Sequence, residues 1–150
     1  MQIGHLQTNK INKIIPAFTA VQSVSDKNLA QSLHQRVPSY CSPYPILLEI
    51  KTSEEENKHG WLPDKIFDDF PFLLTLSSLS IQGLMTMAPF VEDEKVIRES
   101  FVNLRETKEK LEKNYAISLP ILSMGMSRDY TIAIEEGSNM IRVGNALFGG

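Results

Sequence analysis

A chain of 150 residues, 42% hydrophobic and 22% charged, has enough material for one domain with a real core. Its net charge of -3 offers no basic field for nucleic acid, and its one cysteine excludes an internal disulfide framework. No apolar stretch approaches the roughly 20 residues of a membrane span, and the N-terminus MQIGHLQTNK lacks the basic-then-apolar order of a signal peptide, so a soluble cytoplasmic protein is expected.

Residues 1–4 read as the end of a strand, and the polar turn from Gly4 to Lys10 leads into a short helix carrying Ile11, Ile14 and Ile15 and closed by Pro16. Residues 18–24 (FTAVQSV) form a strand by their β-branched and aromatic content. Ser25 or Asp26 caps a helix over 27–36, with Leu29, Leu33 and Val37 on one face. A proline-containing loop follows; Cys41 lies there with no helix start to activate its thiol. Residues 46–50 (ILLEI) are a nearly continuous apolar run, the pattern of a parallel strand covered on both faces. A charged loop over 51–60 precedes a partly helical stretch, 62–76, which Pro71 should break or kink. Residues 80–85 are the next strand. The longest helix, 92–113, is amphipathic, with Glu106/Lys110 and Glu109/Lys113 as pairs on a solvated face.

The last third is the most informative. A strand at 119–123 ends in a tight turn, Ser123-Met124-Gly125-Met126-Ser127. A helix over 128–136 is stopped by Gly137, a strand at 139–143 follows, and Gly144-Asn145 opens a last turn. Twice, a buried strand ends in glycine plus a small polar residue, an arrangement that can aim backbone N–H groups at a phosphate. The alternation predicts an α/β fold with about six parallel strands. A doubly wound sheet carries its phosphate-binding glycines after the first strand. Here they come last, as in the late units of a (β/α)8 barrel.

Each candidate also has a plainer reading. Ser123, Gly125 and Gly144 fit ordinary turn chemistry. Arg142 on an apolar strand is a ligand contact or an ion pair at the barrel bottom. His5 is a ligand, a base or a turn residue, His59 is loop surface, and His34 is a solvated helix residue. No His, Cys, Asp and Glu spacing suggests a metal. Glu54-Glu55-Glu56 lack the separation of an acid–base pair, and Met85, Met87, Met124 and Met126 suit core packing.

Four segments together resemble the pyridoxal-phosphate homeostasis proteins, relatives of the N-terminal barrel of alanine racemase. They are the strand end IGHLQTNK at 3–10, the loop from Thr52-Ser53-Glu54 to Lys58-His59-Gly60, GLMTMAP at 83–89, and LSMGMS at 122–127. Asp129, IRVG at 141–144 and LFG at 147–149 complete the fourth. The resemblance implies a partial (β/α)8 TIM-type barrel, residues 1–150 forming the C-terminal two-thirds of one domain with the first two β/α units missing. The lysine that forms the Schiff base with pyridoxal 5'-phosphate (PLP) would lie in the missing part. It further implies a non-catalytic PLP-binding protein of intracellular PLP homeostasis, a monomer or weak dimer with PLP-dependent apo-enzymes as candidate partners. Alternatives are a racemase-like PLP enzyme and a degenerate, non-binding fragment. Carried over, Ser123, the backbone around Met126 and Ser127, and Gly144-Asn145 would hold the phosphate, and Arg142 would face the pyridine nitrogen. Lys51 stands where the family has Asn, and Asn145 where it has Thr or Ser. Lys10 and Lys51 are the lysines placed to react adventitiously with the PLP aldehyde.

Overall fold

In the computed structural model, which describes residues 6–54 and 59–142, the strand–helix alternation winds into one parallel sheet. Its strands are β1 (Val21–Val24), β2 (Tyr44–Glu49), β3 (Leu79–Met85), β4 (Ile121–Met126) and β5 (Met140–Arg142). The helices are α1 (Ile11–Ala17), α2 (Lys27–Arg36), α3 (Ile66–Leu74), α4 (Glu94–Tyr115) and α5 (Tyr130–Glu135). The strands lie side by side in chain order, each neighbouring pair parallel. That order has no reversal, so it lacks the switch point of a doubly wound sheet and curls as a half-barrel.

The two sheet faces have different work. Val21, Val24, Ile46, Leu48, Leu84, Leu122 and Met124 pack outward against Leu29, Leu33, Phe70, Phe101, Leu104 and Leu111 of the helices. Leu47 and Met85 are buried outside that cluster. They alternate with the outward residues and so belong to the concave face, together with Glu49 and Ser123. Gly83 on β3 lets this face close up: a Cβ there would sit 1.8 Å from the Ile121 carbonyl oxygen of β4.

Several boundaries differ from the sequence reading for local reasons. Phe18 ends α1, with its N–H on Ile14 O, so β1 begins only at Val21. Pro16 lies inside α1 instead of closing it. Pro71 likewise sits within α3 without breaking it. A proline at 71 cannot bond the Phe67 carbonyl, and the Tyr115 hydroxyl takes up that oxygen at 3.4 Å. The run 123–126, expected as a tight turn, is strand; the turn falls at 127–129. The expected strand at residues 1–4 lies outside the described residues.

The helices are anchored by specific polar contacts. Asp26 caps α2 by accepting the Leu29 N–H at 2.7 Å. His34, expected in solvent, is half-buried and bonded to Ser78 Oγ at 2.7 Å, tying α2 to the entry of β3. Along α4 the ion pairs among described residues are Arg98–Glu94 and Lys108–Glu112, displaced from the expected Glu106/Lys110 and Glu109/Lys113. Arg98 and Arg105 both grip Glu136, at 2.7 and 2.9 Å, which docks α5 on α4.

Candidate functional site at the carboxyl end of the sheet

Parallel register places one layer of concave-face residues side by side: Glu49 opposite Met85, Met85 opposite Ser123, Ser123 opposite Met140. Arg142 follows, opposite Met126. This is the carboxyl end of the strands, where barrels of this architecture build their sites.

Ser123 is fully buried, and its hydroxyl donates to Gln22 Oε1 at 2.6 Å. A hydroxyl has one proton, so toward Arg142 Nη1, at 2.8 Å, Ser123 is an acceptor. Arg142 Nη1 also faces Gln22 Oε1 at 3.5 Å, and Nη2 donates to the Thr86 carbonyl at 2.9 Å. The same counting orients the neighbouring hydroxyls. Thr86 Oγ1 donates to Ile50 O at 2.7 Å, so it accepts from Thr52, also at 2.7 Å. The Thr52 proton is thereby used, and Ser100 of α4 donates to Thr52 Oγ1. A directed chain thus runs from α4 through the exit loops of β2 and β3 to Ile50 O, while the Thr86 carbonyl separately accepts from Arg142.

Arg142 is a half-buried cation whose hydrogen-bond partners among the described residues are all neutral. Burial pushes its pKa down, while Asp129 and Glu49 push it back up at longer range. Among the described residues it forms no ion pair; its contacts are Ser123, Gln22 and Thr86. The guanidinium stays charged, since arginine does not lose its proton in proteins.

The turn beside it is closed by Asp129, which is buried and accepts the Met126 N–H through Oδ1 at 2.7 Å. The Asp129 N–H returns to Met126 O at 3.1 Å. Gly125 permits the bend: its φ is +105°, and a Cβ would lie 2.7 Å from Ala133 Cβ of α5. Met126 is 42% exposed, and Ser127 is half-buried.

The structure therefore brings Ser123 and Arg142 into contact and sets Met126 and Ser127 at the adjoining turn. Two donors expected for a phosphate are already engaged: the Ser123 hydroxyl on Gln22, and the Met126 N–H on Asp129. Gly144, Asn145 and His5 lie outside the described residues. Lys51 lies just past β2, half-buried, and Lys10 ends the short 3-10 turn before α1. His59 is exposed. Cys41 lines a separate hollow of about 410 Å³ with Phe18, Tyr40 and Tyr44, at the amino end of the strands. Burial and the nearby Cys41 raise the Tyr44 pKa. Sequence reasoning missed Gln22, Thr52, Thr86 and Ser100 as site residues. The available signal was a long polar side chain in a mostly apolar strand, as Gln22 is in FTAVQSV. Among the described residues no group of His, Cys, Asp and Glu could hold a metal ion, and no helix is long and apolar enough to cross a membrane.

Comparison with known proteins places the chain. Residues 2–150 match the family model of the alanine racemase N-terminal domain. The chain is 37% identical over 147 residues to the pyridoxal phosphate homeostasis protein of Aquifex aeolicus, covering 98% of this chain and 64% of that protein. With the protein of the same name from Synechocystis it shares 38% over 148 residues, covering 98% of this chain and 67% of the other. The first of these matches thus spans less than two thirds of the relative. Among solved structures, PipY of Synechococcus elongatus without PLP superposes with a TM-score of 0.91 at 33% identity, over 97% of this chain and 68% of PipY. The PipY structure with PLP bound gives 0.89 at 32% identity, with the same coverage. Alanine racemase of Clostridium difficile, at 16% identity and a TM-score of 0.78 over 97% of this chain and 38% of the racemase, shares the fold. The chain belongs to the alanine racemase N-terminal domain family, among its pyridoxal phosphate homeostasis proteins.

Proposed function

We propose that this chain binds pyridoxal 5'-phosphate and serves PLP homeostasis in the cytoplasm as a non-catalytic carrier, with PLP-dependent apo-enzymes as recipients. Arg142 carries the reading. It is a cation at the carboxyl end of the sheet, held by neutral acceptors and without an ion-pair partner among the described residues. Such a group suits a ligand that brings an anionic tail and a ring nitrogen with a lone pair. The donor set fits PLP on both counts. The relatives' name and the PLP-bound PipY structure support the same choice.

In this reading Arg142 donates to the ring nitrogen. The phosphate falls to Ser127 and its turn beside Met126, with Gly144 and Asn145. Ser123 joins the phosphate only if Gln22 releases its proton; otherwise it steadies Arg142. When bound, PLP supplies an aldehyde for amines and a ring that can draw electrons from an attached carbon. A permanent guanidinium keeps the ring nitrogen unprotonated, which weakens that pull. A carrier therefore fits this residue better than a racemase does.

The test is a titration of the chain with PLP and with pyridoxal, by absorbance and equilibrium dialysis, in wild type and Arg142→Met. Loss of a charged hydrogen bond should weaken PLP binding by roughly 10- to 100-fold, and pyridoxal, lacking the phosphate, should bind more weakly than PLP. Equal PLP affinity in the two proteins would remove Arg142 from the site. Borohydride reduction followed by mass mapping should find no stoichiometric adduct on Lys10 or Lys51. Turnover of D- or L-alanine in the presence of PLP would replace the carrier role with a catalytic one.

A further inference from the structure

We infer that Gln22, on β1, is the positioning residue for Arg142: by taking the Ser123 proton it fixes which way the guanidinium points, and by being neutral it leaves that charge for the ligand. The importance of this arrangement for binding rests on Arg142 being the ligand contact. The arrangement itself does not.

Gln22 is 4% exposed, and its Oε1 receives the Ser123 hydroxyl at 2.6 Å. With its only proton committed, Ser123 turns its lone pairs toward Arg142 Nη1. The guanidinium is then pinned at two points, Nη1 on Ser123 and Nη2 on the Thr86 carbonyl. A planar fork held at both ends has one orientation. An apolar side chain at 22 would strand the Ser123 proton in a buried place, where an unpaired donor is costly. The hydroxyl would rotate to find another acceptor, and the Nη1 anchor would be lost.

Gln22 Oε1 lies 3.5 Å from Nη1. A carboxylate of the same shape would be close enough for an ion pair with Arg142. It would still accept the Ser123 proton, so the guanidinium would keep its aim while its charge was matched from inside the protein. Glu49 and Asp129 already act on Arg142 without bonding to it. A third carboxylate, in contact, would tip that balance against an anionic ligand. Gln22→Leu and Gln22→Glu therefore separate aim from charge.

The experiment is nitrogen-15 NMR of the arginine side chains, with Arg142 assigned by its disappearance in Arg142→Met. Wild type should show separate Nη1 and Nη2 signals in slow exchange. Gln22→Leu should merge them, with guanidinium rotation at least tenfold faster and an unchanged far-ultraviolet circular dichroism spectrum. Gln22→Glu should keep the signals separate yet bind PLP about tenfold more weakly. If Gln22→Leu does not fold, Gln22→Asn, one methylene shorter, takes its place with the same expected merging. A single averaged Arg142 signal in wild type, or separate signals retained in folded Gln22→Leu, would overturn the positioning role. PLP affinity equal to wild type in Gln22→Glu would overturn the charge argument. Should wild type bind no PLP, the proposed function fails while the NMR result still decides the positioning.

Discussion

Gly83→Ala is the perturbation whose cost the structure defines most sharply. The new methyl would stand 1.8 Å from Ile121 O, 2.6 Å from its carbonyl carbon and 3.0 Å from its Cα. Carbon and oxygen ordinarily approach to about 3.3–3.6 Å. The obstacle is backbone, not a side chain that could swing away, so β3 and β4 must separate by roughly 1.5 Å. Their pairing covers Gly83 with Ile121, Leu84 with Leu122 and Met85 with Ser123, and Thr86 N–H bonds Ser123 O at 3.1 Å just beyond. Weakening two ladder bonds costs about 1 kcal/mol each, and overpacking a core adds about 1–3 kcal/mol. The expected loss is therefore about 3–5 kcal/mol, a large share of the roughly 5–15 kcal/mol that holds a domain together. Urea unfolding followed by circular dichroism measures it: the midpoint should fall with the slope unchanged. The damage should also reach the site, because Ser123 and Thr86 are the residues moved apart. A loss below about 1 kcal/mol with unchanged PLP binding would refute the claim that Gly83 lets this face close up at the site.

Three further changes test other parts of the structure. Thr86→Val keeps the shape but removes the donor to Ile50 O and the acceptor for Thr52, and should cost about 1–3 kcal/mol in the same urea assay. Ala116 ends α4 in the left-handed region at φ 52°, a conformation glycine adopts without penalty, so Ala116→Gly should stabilise the protein by about 1 kcal/mol. Glu136 has its pKa lowered from the ordinary 4.5, first by the hydrogen bond from Arg98 and then by that from Arg105. A carboxyl depressed in the folded state lends stability that is fully present above its unfolded value and is lost as pH falls through its folded one. Glu136→Gln should therefore lower the melting temperature by about 2–4 °C at pH 7, and the gap from wild type should close as the pH drops below 4.5.

What the sequence disclosed and what it hid divide along the range of the contacts. Apolar runs and helical spacing located β2, β3, α2 and α4 to within a few residues, because those signals are local. The late position of the glycine turns pointed to a barrel, and the in-order sheet agrees with that. Ser123-Met124-Gly125 looked like a turn because glycine and serine usually mean one. In the structure Met124 packs into the core and Ser123 into the concave face, so burial on both sides keeps the segment in the sheet. Pro71 looked like a helix breaker because Tyr115, which covers the carbonyl it strands, is far away in sequence. The partners of Ser123 and Arg142 were beyond any local pattern: 101 residues separate Gln22 from Ser123, and 120 separate it from Arg142. Only strand register brings them together.

The choice of partners around Arg142 explains how a folded chain can keep a half-buried charge available. An ion pair would hold the guanidinium firmly, but it would also match the charge that a ligand must find. Hydroxyl, amide and carbonyl oxygens hold it with the charge unmatched, at the cost of burial, which is why its pKa is lowered. Each of those acceptors must then be oriented, since a hydroxyl turned the wrong way would present its proton to a cation. Orientation comes from outside the immediate contact: Gln22 settles Ser123, while the Thr86 N–H, bonded to Ser123 O, holds the Thr86 backbone beside β4. The hydroxyl chain through Thr52 and Ser100 ties that exit loop to α4. A site arranged this way is rigid before the ligand arrives, so ligand binding need not supply the energy of ordering it. In the proposed reading it also leaves for the ligand a half-buried positive charge to which no carboxylate is bonded among the described residues.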